Sequence, residues 1–261
     1  MEGIKNDVES RRLEKRLKER FVKAMATYHL IEDDDRILVG LSGGKDSLLL
    51  LELLAKRAKI HHPRFCVEAL HVRMENIHYE TDTSYLQAFC DALGVPLHVK
   101  TTRFEVEHTA VPQQSTETAA RLRRQKQPCF LCSWMRRKEL FSLAQELGCN
   151  KIALGHHQDD ILHTALMNLT FQGRFGSMPA RLKLRKMPLT IIRPLCMIKE
   201  KDIKTYAELQ DYQKQQKLCP YEEESHRTDI KRLYDEMEQM NPEVRYSIWN
   251  ALETANKLTE E

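Results

Sequence analysis

The sequence predicts an α/β protein built on a doubly wound, mostly parallel five-stranded sheet. Short apolar, β-branched segments alternate with stretches of helical periodicity, the pattern of a parallel sheet with helices on both faces. A glycine-rich turn, Gly40–Ser47, follows the first of these segments, and polar residues follow the second and the fourth. The five predicted strands are Ile37–Leu41, Cys66–Val72, Pro96–Lys100, Lys151–Leu154 and Thr190–Ile192.

Helical periodicity is clearest at the two ends of the chain. Between residues 9 and 28, four apolar residues recur every fourth position, which predicts a packed N-terminal helix with one narrow apolar stripe. The stripe consists of Leu13, Leu17, Phe21 and Met25. A helix is also predicted after Asp229. We therefore expect an N-terminal helical segment (1–30), an α/β domain with a CxxC insertion (31–205) and a C-terminal helical segment (206–261).

Composition is that of an ordinary globular protein, with 41% hydrophobic and 30% charged residues among 261. The N-terminus has no apolar stretch typical of a signal peptide, and no run of eighteen apolar residues occurs, so we expect neither export nor a membrane span. The seven cysteines are an odd number, which favours metal or thiol chemistry over a disulfide framework. A reducing, cytoplasmic location is expected.

The net charge of +3 is too small to argue for a nucleic-acid partner by itself, but positive charge is concentrated in three runs, at 121–126, 136–138 and 181–186. Each run is either a solvated face or part of a path for RNA phosphates. The first and third lie in segments without clear periodicity, 113–127 and 172–188, which we interpret as long loops or lids. The candidate RNA-binding residues are Arg121, Arg123, Arg124, Arg137, Arg181 and Lys183.

The turn Gly40–Ser47 resembles a phosphate-binding loop but is not a Walker A motif, which requires G-x-x-x-x-G-K-[ST]. The stretch from Gly40 to Gly44 is one residue short, and Asp46 stands where the Mg²⁺-binding hydroxyl should be. A strand, a Ser-Gly-Gly turn and a helix starting near Lys45 remain. Backbone N–H groups and the helix N-terminus can therefore still hold an anion.

Ser-Gly-Gly-Lys-Asp-Ser at 42–47 resembles, residue for residue, the motif of the PP-loop ATP pyrophosphatase superfamily, whose fold is Rossmann-like. The resemblance implies that the loop holds the pyrophosphate half of ATP while a substrate oxygen attacks the α-phosphorus. Lys45, and a Mg²⁺ near Asp46, would offset negative charge on the departing pyrophosphate. The implied ATP-binding residues of the loop are Ser42, Gly43, Gly44, Lys45, Asp46 and Ser47.

Two other strand ends are expected at the same edge of the sheet. His71 and Val72 end the second strand and resemble the superfamily's adenine-side segment, although His71 is equally well explained as a partly exposed strand-end histidine. Gly155 and His156 follow the fourth strand and are taken as ATP-binding. Asp159 and Asp160 are predicted to be Mg²⁺ or acid/base partners. We prefer this interpretation to a zinc site shared by Asp159 and His163.

The cysteines fall into two groups. Cys129 and Cys132 form a CxxC pair, which is half of a metal site or a redox pair, before a predicted helix at 133–147. Cys219 is the third candidate thiol, and three thiolates around a cluster leave one position open for an exogenous ligand. The remaining four lie among apolar residues and are predicted to be buried. They are Cys66, Cys90, Cys149 and Cys196.

These motifs together resemble the TtcA-type tRNA 2-thiocytidine synthetases over residues 28–241. The resemblance rests on the CxxC pair, Arg136-Arg137, Leu154–Leu162, Arg193-Pro194-Leu195 and Lys199–Ile203. It implies a [4Fe-4S] cluster, tRNA as substrate and a homodimer. The implied cluster ligands are Cys129, Cys132 and Cys219, and the implied catalytic residues are Cys219, Asp46, Asp159, Asp160 and Arg136. One departure is Gln216, where the family commonly has a further cysteine.

The main hypothesis is an ATP-dependent tRNA thiolase that adenylates O2 of a cytidine in the anticodon loop and then replaces it by sulfur. Unpaired loops are the RNA elements from which a base can be splayed into a pocket. Three alternatives stay open: a PP-loop ligase of the lysidine type that uses a nitrogen nucleophile, a thiolase acting on a substrate other than tRNA, and a non-catalytic nucleotide or iron sensor. The nucleotide modified, the sulfur donor and the electron donor are left open by the sequence.

Overall fold

The protein is described by a computed structural model that covers residues 2–75, 82–103, 128–213 and 226–260. The helices in this part are α1 (Glu2–Thr27), α2 (Lys45–Ala58), α3 (Thr83–Leu93), α4 (Pro128–Glu146), α5 (Gln158–Gln172), α6 (Glu200–Leu209), α7 (His226–Met240) and α8 (Val244–Thr254). The strands are β1 (Asp35–Gly40), β2 (Phe65–Met74), β3 (Leu97–Thr102), β4 (Lys151–Ala153), β5 (Arg181–Lys183), β6 (Thr190–Ile192) and β7 (Thr259–Glu260). No helix in these ranges is long and apolar enough to cross a membrane.

The strands of the described residues form one sheet in the order β3-β2-β1-β4-β6-β5-β7. The first five of these are mutually parallel and correspond to the five predicted strands, so the predicted fold class is confirmed. Successive strands run outward from β1 in one direction and from β4 in the other. The turn after β1 therefore lies at the point where the strand order reverses, which is where doubly wound sheets bind ligands.

The sheet is larger than predicted because two short strands extend it beyond β6. β5 runs antiparallel to β6, and β7 runs parallel to β5. The interpretation of 172–188 as one long loop was therefore wrong at Arg181 and Lys183, which lie on β5. Strands of three and two residues are too short to show periodicity, and β5 and β7 are joined by a pairing that is remote in sequence.

Alternating residues of β1 point into two different hydrophobic clusters, as a sheet covered on both faces requires. Ile37 and Val39 belong to the larger cluster, which also includes the predicted stripe of α1, whereas Leu38 belongs to a smaller cluster under α4. The stripe of α1 is buried as predicted. Cys66 was wrongly predicted to be buried, because it faces outward on β2 between the buried residues Phe65 and Val67.

α4 runs from the carboxyl edge of the sheet to its amino edge. The chain leaves α4 and reaches Asn150, whose backbone N–H donates to the carbonyl oxygen of Arg36 at the amino end of β1 (3.1 Å). Nineteen helical residues span about 28 Å, so the first turn of α4 lies at the opposite edge. The CxxC pair and the glycine-rich turn are thus at the same edge of the sheet.

Candidate active site

The turn after β1 is held in shape by its two serines. Ser47 Oγ accepts a hydrogen bond from the backbone N–H of Ser42 (3.2 Å) and donates one to the carbonyl oxygen of Gly44 (2.9 Å). Gly43 has a φ of +80°, a left-handed conformation that glycine adopts without strain. Gly44 then leads into α2 without a side-chain cap. Since the first N–H groups of a helix have no intrahelical partner, those of α2 can bind an anion, as the sequence predicts.

Gly155, two residues after β4, packs directly against this turn. A Cβ built on Gly155 would lie 3.1 Å from the carbonyl carbon of Asp46 and 3.1 Å from the backbone nitrogen of Ser47. Backbone atoms cannot swing aside as the end of a flexible side chain can, so glycine is required for this close approach. The structure therefore brings Gly155 to the turn, while its contact with ATP stays a prediction.

Lys45 carries the positive charge of the turn and contacts two carboxylates. Its Nζ lies 2.9 Å from Asp46 Oδ1 and 3.4 Å from Glu200 Oε1. Burial of the amine favours its neutral form, but the contacts with Asp46 and Glu200 outweigh burial and raise the pKa of Lys45. Lys45 is therefore positively charged at neutral pH, as neutralisation of a phosphate requires.

Glu200, at the start of α6, is contacted by two further lysines. Lys204 Nζ lies 3.2 Å from Glu200 Oε1, and Lys231 Nζ lies 3.5 Å from Oε2. Burial raises the pKa of Glu200, yet its lysine neighbours more than reverse this and lower it to about 2. The side chains of Lys204 and Lys231 are 49% and 50% exposed, so this cluster opens to solvent beside the turn.

A cleft of about 770 Å³ adjoins the turn and the lysines, with Gly44, Lys204 and Tyr212 among its lining residues. The end of α6, which forms one wall of the cleft, is hydrogen-bonded to α2 through the buried carboxylate of Glu52. Tyr206 OH and Lys56 Nζ each lie 2.6 Å from Glu52 Oε1, and Tyr212 OH donates to Glu52 Oε2. The end of α6 is thereby fixed to the helix that begins at the turn.

His157 and Asp160 cap α5 reciprocally. Asp160 Oδ2 accepts a hydrogen bond from the backbone N–H of His157 (3.0 Å), and His157 Nδ1 accepts one from the backbone N–H of Asp160 (3.4 Å). The buried ring of His157 also brings its Nε2 to 3.9 Å from Asp46 Oδ1, which links this cap to the turn after β1. Asp160 thus has a structural role in addition to the Mg²⁺ or acid/base role that stays a prediction.

Asp159 joins three helices. Its Oδ2 accepts a hydrogen bond from the backbone N–H of Glu200 (2.8 Å), and its Oδ1 accepts one from Arg245 Nη2 (2.8 Å). Burial raises the pKa of Asp159, but these two bonds outweigh it and hold the pKa below its usual value. Asp159 therefore anchors α6 and α8 to α5 as an anion at neutral pH, and its predicted role toward Mg²⁺ stays a prediction.

His156 is a half-buried histidine held by an arginine. Arg193 Nε donates to His156 Nδ1 (3.2 Å), and Arg193 Nη1 donates to the carbonyl oxygen of Pro179 (2.5 Å). Burial and the charge of Arg193 lower the pKa of His156 to about 3. Because Nδ1 accepts, the proton of the neutral ring is on Nε2, which makes Nε2 a hydrogen-bond donor.

His71 is buried within β2, three residues before the strand ends, and only 1% of its surface is exposed, so the alternative of a partly exposed strand-end histidine was wrong. Its Nδ1 lies 2.8 Å from the carbonyl oxygen of Leu41 and donates to it, which ties β2 to the start of the turn. Val72 is also buried, in the smaller cluster. The adenine contacts predicted for His71 and Val72 stay a prediction.

Cys129 and Cys132 lie in the first two turns of α4, where Cys129 is exposed and Cys132 is half-buried. Residues three apart share a helix face, and a helix N-terminus favours thiolates. Their chemistry therefore fits two ligands of an iron–sulfur cluster. Cys219, the third predicted ligand and a predicted catalytic residue, lies outside the described residues, and the described ranges contain no cluster of three or more metal-ligating side chains.

Three of the four remaining cysteines are buried as predicted. They are Cys90, Cys149 and Cys196. Burial raises the pKa of each thiol, that of Cys90 to about 11, which keeps them protonated and unsuited to bind metal at neutral pH. Among the six thiols that the structure describes, burial thus separates these three from the CxxC pair, and Cys66 is exposed like Cys129.

The predicted RNA-binding residues are only partly described. Arg121, Arg123 and Arg124 lie outside the described residues. Arg137 is exposed on α4, next to the half-buried Arg136, while Lys183 is exposed and Arg181 half-buried on β5. Their contacts with RNA stay a prediction.

Sequence reasoning missed Glu200, Lys204, Lys231 and Arg245 as members of this site. Glu200 and Lys204 share one turn of α6, and a helical Glu/Lys pair is ordinary on any solvated surface. Lys231 and Arg245 come from helices late in the chain, and Arg245 lies 86 positions from its partner Asp159. Local patterns therefore held no signal that could separate Lys204, Lys231 and Arg245 from surface residues, whereas Glu200 lies inside the family segment Lys199–Ile203 but was given no role.

Comparison with known proteins gives concordant matches. A family model described as a PP-loop domain matches residues 10–232. The tRNA-cytidine(32) 2-sulfurtransferase of Bordetella avium (strain 197N) is 36% identical over 245 residues, covering 94% of this chain and 74% of its own. That of Pseudomonas putida (strain GB-1) is 34% identical over 248 residues, covering 94% and 86%.

A solved structure is also similar. The U34-tRNA thiolase NcsA from Methanococcus maripaludis, determined with its [4Fe-4S] cluster, superimposes with a TM-score of 0.71 at 26% sequence identity. The match covers 94% of this chain and 79% of that one.

Proposed function

Because the chain belongs to the PP-loop domain family, and within it to the tRNA-cytidine 2-sulfurtransferases, we propose that it replaces O2 of a tRNA cytidine by sulfur at the expense of ATP. The membership confirms the resemblance drawn from residues 42–47 and from the CxxC pair. The names of the relatives favour cytidine 32 as the nucleotide modified.

The observation that carries this proposal is the shared location of two chemically different sites. The anion-binding turn of residues 42–47 and the cysteine pair of α4 both lie at the carboxyl edge of the sheet. ATP binding alone would fit many ligases of this superfamily. A thiol pair at the same edge supports transfer of sulfur to the activated base.

The turn would hold the pyrophosphate half of ATP. Backbone N–H groups of residues 42–47 and the N-terminus of α2 supply fixed partial positive charge, and Lys45 supplies a full one. Glu200 now occupies part of the space around Lys45 Nζ, so an incoming phosphate would compete with this carboxylate for the lysine. Lys204 and Lys231 would then face the same phosphates.

The carboxylate of Asp46 is suited to a Mg²⁺ bound together with the phosphates. Its side chain is 31% exposed and projects from the first turn of α2 beside the anion site. Mg²⁺ is usually held by one or two carboxylates and by substrate phosphates, which fits this arrangement. Asp160 is the second candidate ligand, since its side chain is 37% exposed.

Once O2 of the base has attacked the α-phosphorus and pyrophosphate has left, AMP is the leaving group at C2. Cys129, Cys132 and Cys219 would hold a [4Fe-4S] cluster, which would supply sulfide-level sulfur as the nucleophile that replaces AMP at C2. Arg136 and Arg137, one turn after Cys132, would offset the negative charge of the nucleotide or the RNA backbone.

Nucleoside analysis of tRNA from a strain that depends on this protein tests the proposal. We expect 2-thiocytidine in the strain with the wild-type chain and its loss with Cys129→Ala. Cys66→Ala is the matched control, because Cys66 is also exposed but lies on β2, and it should leave the modification unchanged. Wild-type activity of Cys129→Ala would contradict a thiol-bound cluster and favour a nitrogen nucleophile.

A further inference from the structure

A groove of about 400 Å³ runs along α4, beginning at Trp134, two residues after Cys132. Its floor is a helical stripe at spacings of three and four residues, contributed by Trp134, Arg137, Lys138 and Phe141. Met187, from the connection between β5 and β6, also lines it. Trp134 is 50% exposed, although burial of so large an apolar side chain would be favourable.

Two of the three basic runs of the sequence meet at this groove. Arg137 and Lys138 line it directly, and the exposed residues Arg185 and Lys186 immediately precede Met187 on its other side. Lys138 Nζ lies 5.9 Å from the centroid of the Trp134 ring, within the distance of a cation–π contact. Glu146 directly follows the lining residue Gln145, and its charge is offset by Lys100, whose Nζ lies 3.0 Å from Glu146 Oε1.

We propose that this groove binds an unpaired segment of the tRNA substrate, with one nucleobase stacked on the indole of Trp134 and the flanking phosphates on Arg137, Lys138 and the Arg185-Lys186 connection. The proposal rests on the function proposed above, because it assigns to that substrate a binding surface outside the nucleotide and cysteine sites. Its place along α4 puts the stacked base close to the cysteine pair.

The composition of the groove favours RNA over a protein partner or a second copy of the chain. Proteins that bind single strands combine aromatic platforms with a cationic track, and both are present here. Trp, Phe, Met and Arg are enriched at protein–protein interfaces as well, but lysine is depleted there, so it is Lys138 and the neighbouring Lys186 that favour RNA. A volume of about 400 Å³ also lies within the roughly 300–1,000 Å³ of pockets that take small ligands, so a single base can be accommodated.

Affinity for an unmodified tRNA transcript labelled with fluorescein, measured by anisotropy, tests the platform. A base–aromatic stack is worth roughly 1–3 kcal/mol, so Trp134→Ala should weaken binding by about 5- to 150-fold at 1.4 kcal/mol per tenfold. Trp134→Tyr keeps an aromatic face and should bind within a few-fold of wild type. Tyr246→Ala removes an aromatic that is 68% exposed on α8 and is the matched control, with no expected change.

Intrinsic fluorescence gives a second readout that a merely structural role would not move. The chain has two tryptophans, and Trp249 is only 7% exposed, so quenching by added tRNA reports mainly on Trp134. We expect quenching in the wild type and its loss in Trp134→Tyr, although that variant still binds tRNA. In addition, Lys138→Ala should reduce the slope of log affinity against log salt by about 1.

The proposed role of the groove would be overturned if Trp134→Ala bound tRNA with wild-type affinity. The proposed function would stay intact as long as the wild-type protein binds and thiolates that tRNA. Loss of self-association in Trp134→Ala at unchanged tRNA affinity would also overturn the proposed role of the groove and assign the groove to a second copy of the chain. A wild-type protein that neither binds nor thiolates tRNA would contradict the proposed function itself.

Discussion

The nucleotide side of the site, around residues 42–47 and 155–160, is half-buried and cross-braced by buried side chains, whereas the cysteine side, along the first three turns of α4, is more exposed. His71, His157 and Arg193 are buried and hydrogen-bonded to neighbouring residues. Cys129 is exposed, and Trp134 is 50% exposed. One side is preformed for a small ligand, and the other presents a surface to a large one.

Because of this difference, substitutions on the nucleotide side should affect stability and activity together, whereas those on the cysteine side should affect activity alone. On the nucleotide side the bonds that shape the site also hold α5, α6 and α8 together, so a substitution there should affect both the folded state and the reaction. On the cysteine side, exposed residues contribute little to folding, and surface substitutions usually change stability by no more than about 0.5 kcal/mol. Cys129→Ala and Trp134→Ala should therefore impair function at nearly unchanged stability.

Gly155→Ala should give the largest combined effect. The added methyl group would meet the backbone of Asp46 and Ser47 at 3.1 Å and displace the start of α2. We expect a loss of about 1–3 kcal/mol in the free energy of unfolding and a loss of about 100-fold in ATP-dependent activity, because small misplacements cost that much. Urea unfolding and pyrophosphate release in the presence of tRNA measure the two.

Gly176→Ala is the matched control for this change. A Cβ on Gly176 meets its nearest neighbour, Lys257 Cδ, only at 3.9 Å, which is ordinary van der Waals contact. Both quantities should stay close to wild type. If Gly155→Ala lost activity while keeping wild-type stability, the coupling claimed for the nucleotide side would be absent.

His156, on the nucleotide side, should make the free energy of unfolding depend on pH. Its pKa is about 3 in the folded protein against 6.5 for an unperturbed histidine, because burial and Arg193 disfavour the charged ring. Below pH 6.5 the unfolded chain therefore binds a proton that the folded protein does not. The resulting stability is present above pH 6.5 and is lost as the pH falls toward 3, by roughly 2 kcal/mol between pH 7 and pH 5.

Urea unfolding at pH 7 and pH 5 should show this contribution as a difference between wild type and His156→Gln. The glutamine cannot be protonated, so the variant should lose less stability on acidification, whatever its stability at pH 7. His61→Gln, at an exposed histidine, should behave like the wild type. An equal acid response of His156→Gln and wild type would show that His156 is not buried in its neutral form.

Lys204→Met gives the smallest expected effect. It tests whether an exposed residue of the nucleotide side can affect activity without affecting stability. Lys204 belongs to the nucleotide side, but its side chain is 49% exposed, so stability should change little. If it faces the phosphates of ATP, the apparent affinity for ATP should fall about 5-fold, the roughly 1 kcal/mol upper range of an exposed charge pair. Initial rates at varied ATP measure this. Lys201→Met, at an exposed lysine of the same helix, should show no such shift.

The parts of the molecule that could be predicted from sequence are those that depend on residues adjacent along the chain. The five parallel strands are short apolar runs, and the turn at 42–47 combines small residues, a lysine and a helix start within six positions. Both features are found in the structure, because each depends on local backbone geometry. The cysteine pair was readable for the same reason.

What could not be predicted depends on pairs distant along the chain. Asp159 and Arg245 meet across 86 positions, and Glu200 meets Lys45 from another helix. Cys66 was misjudged because apolar neighbours do not reveal which face of a strand is covered. Likewise, nothing in the run at 181–186 indicates that a short strand brings it to the groove on α4.

One rigid element, α4, carries both the thiols and the proposed base platform. From Cys129 to Trp134 the helix rises about 7.5 Å, and this separation cannot stretch without breaking backbone hydrogen bonds. The helix would therefore act as a ruler that fixes which nucleotide reaches the sulfur once its neighbour is stacked. Inserting a single residue between them would turn Trp134 by about 100° around the helix axis and so change the position that is modified.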